Sequence, residues 1–147
     1  MNDIHNKNQL TMNMTIREVQ HHLIRHDIKP SVQRVAIMQY LMEHKTHPTI
    51  DQIFTDLLPA MPTLSKTTVY NTLKLFHDKR AVISITIDEK NVRYDGNTSA
   101  HAHFKCKECG AIHDISLKEA DIFPFGNTEF DIEETQIYFL GKCKQCL

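Results

Sequence analysis

The sequence predicts an α+β protein in which a winged helix-turn-helix is followed by a small αβ unit. Three observations carry this. Four stretches with helical apolar spacing fill residues 15–79 and give way to a hairpin pattern. All four cysteines lie beyond residue 105, as two Cys-x-x-Cys pairs. The charge also divides: residues 1–97 hold 12 Lys+Arg against 10 Asp+Glu, and residues 98–147 hold 5 against 8.

The chain has 147 residues, room for one large domain or two small ones. With 41% hydrophobic and 24% charged residues, it fits a water-soluble globular protein. Residues 1–14 form a polar leader without the apolar segment of a secretory signal, and no apolar run is long enough to span a membrane. These features predict a cytoplasmic protein with no membrane partner.

The elements follow in order. Ile16, Val19, Leu23 and Ile24 give the first helix an apolar face through His26. Asp27 to Pro30 breaks it, because the residue before a proline avoids helical geometry. Ser31 caps a second helix carrying Val35, Met38, Leu41 and Met42. His47-Pro48-Thr49 connects, and Thr49 caps a third helix holding Ile53, Phe54, Leu57 and Leu58. Ser65 caps a fourth, Lys66–Lys79, burying Val69, Leu73 and Phe76.

The period then changes. Val82, Ile83, Ile85 and Ile87 read as a strand, Asp88–Asn91 as a turn and Val92–Tyr94 as the return. Helices followed by a hairpin give the order of a winged helix-turn-helix, so residues 15–95 form one domain. Asp95 to Ala100 reads as a hinge, and residues 96–147 form the second domain. In it Phe104–Cys106 and Ala111–Asp114 predict a hairpin, Leu117–Phe123 a short helix, and Phe130–Ile132 and Gln136–Leu140 two further strands.

Cys106, Cys109, Cys143 and Cys146 have the spacing of two zinc knuckles, which together offer the four thiolates of a closed tetrahedral Zn²⁺ site. The alternatives are two disulfides or scattered buried thiols, and the missing secretory signal weighs against disulfides. Such a site would staple the chain end to a unit poor in apolar bulk.

Among ten histidines, His101 and His103 stand at i, i+2, which puts both on one face of a strand. Asp95 lies just before them and Asp114 just after the first knuckle. With His47 the set contains three imidazoles and two carboxylates, a mixture that suits Fe²⁺, Mn²⁺ or Zn²⁺. Taken singly, each residue has an ordinary alternative as a surface histidine or turn aspartate, and sequence separation alone cannot recruit His47. His21, His22, His26, His44 and His77 are assigned to helix surfaces. His113 alternates with Asp114 and faces the other way.

On the fourth helix Thr67, Tyr70, Asn71 and Lys74 recur at i, i+3, i+4, i+7, away from the buried side. These residue types meet phosphates and base edges. Ser65 and Lys66 at the helix start favour a phosphate, and Arg93 on the hairpin adds a cation. An ordinary solvated face is the alternative. A formal net charge of -1 argues against a strongly basic nucleic-acid binder, but the division of charge leaves the helical part mildly basic. No separate acid, base or nucleophile motif is present, so the chain is not expected to be an enzyme. A metalloenzyme and a zinc-stapled interaction module are the competing classes.

The run Ser65-Lys66-Thr67-Thr68-Val69-Tyr70-Asn71-Thr72-Leu73 resembles the recognition-helix motif of the ferric uptake regulator family. His47-Pro48-Thr49, His101-Ala102-His103-Phe104-Lys105-Cys106-Lys107-Glu108-Cys109-Gly110 and the final Cys-x-x-Cys are similar to that family as well, and the resemblance spans about residues 15–147. It implies a homodimeric, metal-dependent transcriptional repressor whose winged helix binds a palindromic double-stranded DNA operator. The C-terminal unit would dimerise and hold structural Zn²⁺ on the four cysteines. A regulatory Fe²⁺ or Mn²⁺ would sit at the domain junction on His47, Asp95, His101, His103 and Asp114.

Within the family the chain looks most like the peroxide-sensing branch, which controls oxidative-stress genes. Asp114 stands where iron sensors usually carry Glu, and Asn71 follows Tyr70 as in that branch. There Fe²⁺ and peroxide oxidise a ligand histidine, and the corresponding residues are His47 and His101. An iron- or zinc-responsive uptake repressor is the alternative. A third metal site found in many iron sensors maps to Ala100, Ala102, Asp121 and Thr135. Three of these cannot be ligands of the expected kind, so that site is expected to be absent.

Overall fold

The computed structural model describes residues 14–122 and 129–147. Most of the expected leader and the Phe123 end of the expected short helix lie outside the described residues. Met14, assigned to the leader, packs against the core.

Four helices come first, each started by a side-chain cap. In α1 (Ile16–Arg25) Thr15 and Glu18 form a capping box. In α2 (Val32–Glu43) the Ser31 side chain accepts from the Arg34 amide. Thr49 and Gln52 form a second capping box at α3 (Ile50–Leu57), and Ser65 accepts from the Thr68 amide at α4 (Lys66–Asp78). Such caps satisfy amides the helix itself cannot, worth about 1 kcal/mol each.

The expected face of α1 is half right. Val19 and Leu23 are fully buried, but Ile16 and Ile24 are exposed. A helix at the edge of the bundle buries a narrow stripe, and these two fall outside it. α2 is the reverse: besides Val35, Met38 and Leu41 it buries Ile37 and Tyr40, since α1, α3, α4 and β2 all pack on it. Val69, Leu73 and Phe76 of α4 complete the core with Ile53 of α3. Truncating one of these fully buried side chains to alanine costs about 2–5 kcal/mol.

The wing is a short antiparallel hairpin, β1 (Ile83–Ile85) on β2 (Arg93–Asp95), with Ile83 opposite Asp95. β1 is shorter than the apolar run suggests, although Ile87 is still buried, and β2 lies one residue later than expected. Asp95, read from the sequence as the start of a hinge, lies in a strand. It is the buried last residue of β2. Gly96 follows because a β-carbon there would lie 3.2 Å from the Leu41 carbonyl oxygen of α2.

The second unit is a three-stranded sheet in the order β4-β3-β5. β3 (His101–Cys106) pairs antiparallel with β4 (Ile112–Ser116), and His103 faces Asp114 across that ladder. β5 (Tyr138–Gly141) pairs parallel with β3, and a 3-10 turn (Lys144–Cys146) ends the chain. Between β4 and β5 lies α5 (Glu119–Ile122). The strand expected at Phe130–Ile132 does not form: residues 130–132 are a bend and irregular backbone, and the Phe130 and Ile132 side chains are exposed. β5 starts at Tyr138 rather than Gln136, where its pairing with β3 begins opposite His103, and the Gln136 side chain reaches the Ser84 carbonyl of the wing.

Candidate functional site

The thiols come from two turns at one end of the sheet. Cys106 ends β3, and Cys109 follows in a tight turn closed by Gly110, whose φ of 74° lies in the left-handed region that favours glycine. Cys143 precedes the terminal 3-10 turn and Cys146 is its last residue. The four sulfur atoms lie within 4.8 Å of one another. Cys109 Sγ and Cys143 Sγ are 3.8 Å apart, nearly twice the length of a disulfide bond, and all four cysteines are free.

The Cys109 and Cys143 amides, with that of Glu108, pull the Cys106 thiol down to about 6. The Cys143 side chain, burial and the neighbouring sulfurs push Cys146 up to about 12. Four mutually close sulfurs, none of them in a disulfide, are the donor set that fits a closed tetrahedral Zn²⁺ site.

The second cluster joins the two units. His47, in the loop between α2 and α3, places Nε2 2.7 Å from Asp114 Oδ1 of β4 and 3.5 Å from Asp95 Oδ2 of β2. His101 Nε2 is 2.9 Å, and His103 Nε2 3.3 Å, from the same Asp95 oxygen. Both lie close to Asp114 Oδ1 as well, at 3.6 and 3.5 Å. The ligand atoms of His47, Asp95, His103 and Asp114 lie within 4.8 Å of one another. His101 joins them through Asp95, Asp114 and His103. All five expected residues therefore converge, His47 included.

Two features fit this cluster to a metal. The Nε2 atoms of His101 and His103 are 3.0 Å apart. His101 Nδ1 lies 2.7 Å from the Ser99 carbonyl and must donate to it, so the neutral ring turns a lone pair inward. Apart from the 2.7 Å His47–Asp114 hydrogen bond, the separations of 2.9–3.6 Å lie close to the ligand-to-ligand spacing of about 3.0–3.6 Å expected around a cation with bonds of about 2.1 Å. The Asn97 amide holds the other Asp95 oxygen at 2.8 Å, an Asx turn that aims Oδ2 at the histidines.

Burial opposes charge on Asp95. The His103 and His47 imidazoles, the Asn97 amide and the His101 ring outweigh it and hold the carboxyl well below the usual range. Burial pulls the His47 imidazole down, yet the Asp95 and Asp114 carboxylates raise it on balance.

The exposed face of α4 carries Thr67, Tyr70, Asn71 and Lys74, with Ser65 and Lys66 at its start. Lys66 pairs with Asp51 at 2.9 Å and Lys74 with Asp78 at 3.1 Å. Exposed pairs of this kind are worth about 0–1 kcal/mol and yield readily to a phosphate. The Arg93 guanidinium donates to Asp88 and to the His47 carbonyl, beside the junction.

Of the histidines assigned to helix surfaces, His21 and His44 are exposed as expected, and His77 of α4 is half-buried. His22 and His26 are half-buried and donate to the Ala81 and Lys79 carbonyls, knitting α1 to the turn after α4. The Arg93–Asp88 pair, the Ser99 carbonyl and the Asn97 amide escaped the sequence reading. Only Asp95-Gly96-Asn97 carried a readable signal, that of a turn.

A helix-turn-helix unit, a four-thiol cluster and a cluster of imidazoles and carboxylates between the two units define a metal-responsive regulator. The sequence profile of the ferric uptake regulator family matches residues 25–139, and the chain belongs to that family. Its members are transcriptional regulators, not enzymes. The chain is 37% identical over 122 residues to the peroxide-responsive repressor PerR of Staphylococcus aureus strain Mu50, covering 81% of this chain and 82% of that one. It superimposes on PerR from Streptococcus pyogenes, a protein of peroxide sensing and gene regulation, with a TM-score of 0.50, 28% identity and coverage of 90% and 92%. The Helicobacter pylori ferric uptake regulator Fur, which has three functional metal binding sites, shares the fold with a TM-score of 0.69, 17% identity and coverage of 91% and 95%. Among the described residues of this chain, two groups of three or more His, Cys, Asp or Glu could hold a metal. No helix among the described residues is long and apolar enough to cross a membrane.

Proposed function

We propose that the chain is a homodimeric repressor that binds a palindromic operator when its junction cluster is metal-loaded and releases it on exposure to peroxide. The observation that carries the reading is the convergence of His47 and Asp95 from the helical unit with His101, His103 and Asp114 from the sheet unit. A cation held by all five favours one angle between residues 15–95 and residues 96–147. In a dimer that angle sets the spacing of two α4 helices, and half-sites one DNA turn apart, roughly 34 Å, accept a narrow range. Ser65, Lys66, Thr67, Tyr70, Asn71 and Lys74 are the proposed contacts, and the four cysteines hold structural Zn²⁺.

Bound Fe²⁺ supplies redox chemistry towards peroxide, whereas Mn²⁺ supplies the same charge without it. The chain's part is to present imidazole rings at the ion. His47 and His101 are the proposed targets, and oxidising either removes a lone pair from the junction. The 37% identity to the staphylococcal peroxide-responsive repressor and the Asp at position 114 support this reading over an iron- or zinc-responsive uptake repressor.

The test is operator binding by the Fe²⁺ and Mn²⁺ forms before and after peroxide. The Fe²⁺ form is expected to release DNA while gaining one oxygen on the His47 or His101 peptide, and the Mn²⁺ form to stay bound. An Fe²⁺ form that keeps both its DNA and its mass would reject peroxide sensing and leave the uptake repressor.

A further inference from the structure

His101 and His47 are oriented by different means. A metal-binding histidine usually donates its second ring nitrogen to a fixed acceptor, which sets the ring's pose. His101 does so through Ser99. His47 does not: its Nδ1 is buried and has no partner among the described residues. The His47 backbone is also strained, with φ at 53° in a residue that carries a β-carbon, directly before Pro48.

Something else must hold that pose. The His47 carbonyl accepts from Arg93 Nη1 at 3.1 Å, and the Pro48 carbonyl accepts from the Tyr94 amide at 3.0 Å. The Arg93 fork is in turn fixed on Asp88, with Nε and Nη2 each 3.1 Å from Asp88 Oδ2. Asp88 sits in the wing turn, where its other oxygen accepts from the Lys90 amide at 3.2 Å and lies 3.7 Å from Lys105 Nζ of β3. The pair is mostly sequestered, the Asp88 side chain being 12% exposed and that of Arg93 22%.

We propose that Arg93, locked by Asp88, is the positioning residue for His47: it holds the strained loop that aims Nε2 into the junction cluster, the duty Ser99 performs for His101. The proposal rests on the metal-site reading and extends it to a residue two positions before Asp95. Because Asp88 also touches Lys105, the clamp ties the His47 pose to the strand that bears His101 and His103.

The test is Mn²⁺ affinity in the zinc-loaded, full-length chain, measured as a double-mutant cycle with His47. Arg93→Ala is expected to weaken Mn²⁺ binding about 10–100-fold, the usual effect of losing a ligand's supporting partner. In a His47→Ala background the same change is expected to alter affinity less than about twofold, since Arg93 acts through His47. Unchanged affinity in Arg93→Ala would overturn the proposal, as would an equal loss in both backgrounds, which marks a merely structural role. If Arg93→Ala does not fold, Arg93→Lys carries the test. It keeps the charge facing Asp88 but not the fork, so wild-type affinity there would overturn the proposal too. If His47→Ala itself binds Mn²⁺ like the wild type, the ligand assignment falls and this proposal with it. If His47→Ala loses affinity and Arg93→Ala does not, the proposal alone falls.

Discussion

His47 Nε2 stands 2.7 Å from Asp114 Oδ1, although 67 residues separate them in sequence. One belongs to a loop of the helical bundle and the other to the outer strand of the C-terminal sheet. The contact is therefore a joint between the two halves of the molecule. Without a cation it holds as a hydrogen bond, and the crowding of three imidazoles on two carboxylate oxygens marks it as a place where a cation's charge is useful.

The second joint contains no metal ligand. The Thr86 amide of the wing donates to the Tyr138 hydroxyl of β5 at 3.1 Å, and that hydroxyl donates to Gln136. Tyr138→Phe keeps the ring and removes both bonds. Hydrogen exchange at the Thr86 amide is expected to speed up about threefold to tenfold, from a bond worth about 0.5–1.5 kcal/mol. An unchanged Thr86 exchange rate would mean that this bond does not hold the wing in solution.

The thiol cluster leads to a prediction about folding. Cys143→Ser removes one of four mutually close sulfurs and the residue whose amide reaches Cys106 Sγ at 3.3 Å. The variant is expected to lose stoichiometric zinc and, with it, the stable C-terminal sheet, because a structural site supplies folding energy directly. Metal analysis beside circular dichroism checks this. A fully folded, zinc-free variant would deny the cluster a structural role.

Tyr70 projects from α4 half-exposed, away from Val69 and Leu73. Tyr70→Ala is expected to weaken operator binding about tenfold, within the range for losing one contact to DNA, and to leave Mn²⁺ affinity unchanged. Fluorescence anisotropy with labelled operator separates the two, and unaltered DNA affinity would remove Tyr70 from the contact surface.

His22 makes stability depend on pH. Burial lowers its affinity for a proton, the Ala81 carbonyl opposes this, and the charges of His26 and Arg25 lower it further. The unfolded chain therefore takes the proton more readily than the folded one. The contribution of the buried neutral ring is complete above the ordinary value of 6.5 and is lost as pH falls below it towards the lower folded value. Denaturation midpoints of the wild type and His22→Gln at pH 7.5 and 5.5 test this, with the wild type expected to lose more on acidification. Equal losses would show that His22 carries no such linkage.

Much of the fold was legible because its signals are local. Ser31, Thr49 and Ser65 cap where they were expected to, since a cap depends on a few neighbouring residues. The exposure of Ile16 and Ile24 and the burial of Tyr40 were not legible, because they depend on what packs from outside the helix. The Cys-x-x-Cys pairs and the His101/His103 spacing showed themselves for the same local reason. The role of Arg93 at the junction was not legible, because its bond to the His47 carbonyl joins residues 46 positions apart. Likewise β5 begins where pairing with β3 begins, and the apolar pattern of one strand does not encode its neighbour's register.

The central claim is that one cation, held by ligands from both units, makes the chain competent for DNA. The most direct measurement is metal content together with Mn²⁺-dependent operator binding in His47→Ala and His103→Ala. Both variants are expected to keep their zinc, bind the second metal far more weakly than the wild type and fail to bind operator at the Mn²⁺ level that saturates the wild type. Retained Mn²⁺-dependent operator binding, or zinc lost along with the second metal, would contradict the account.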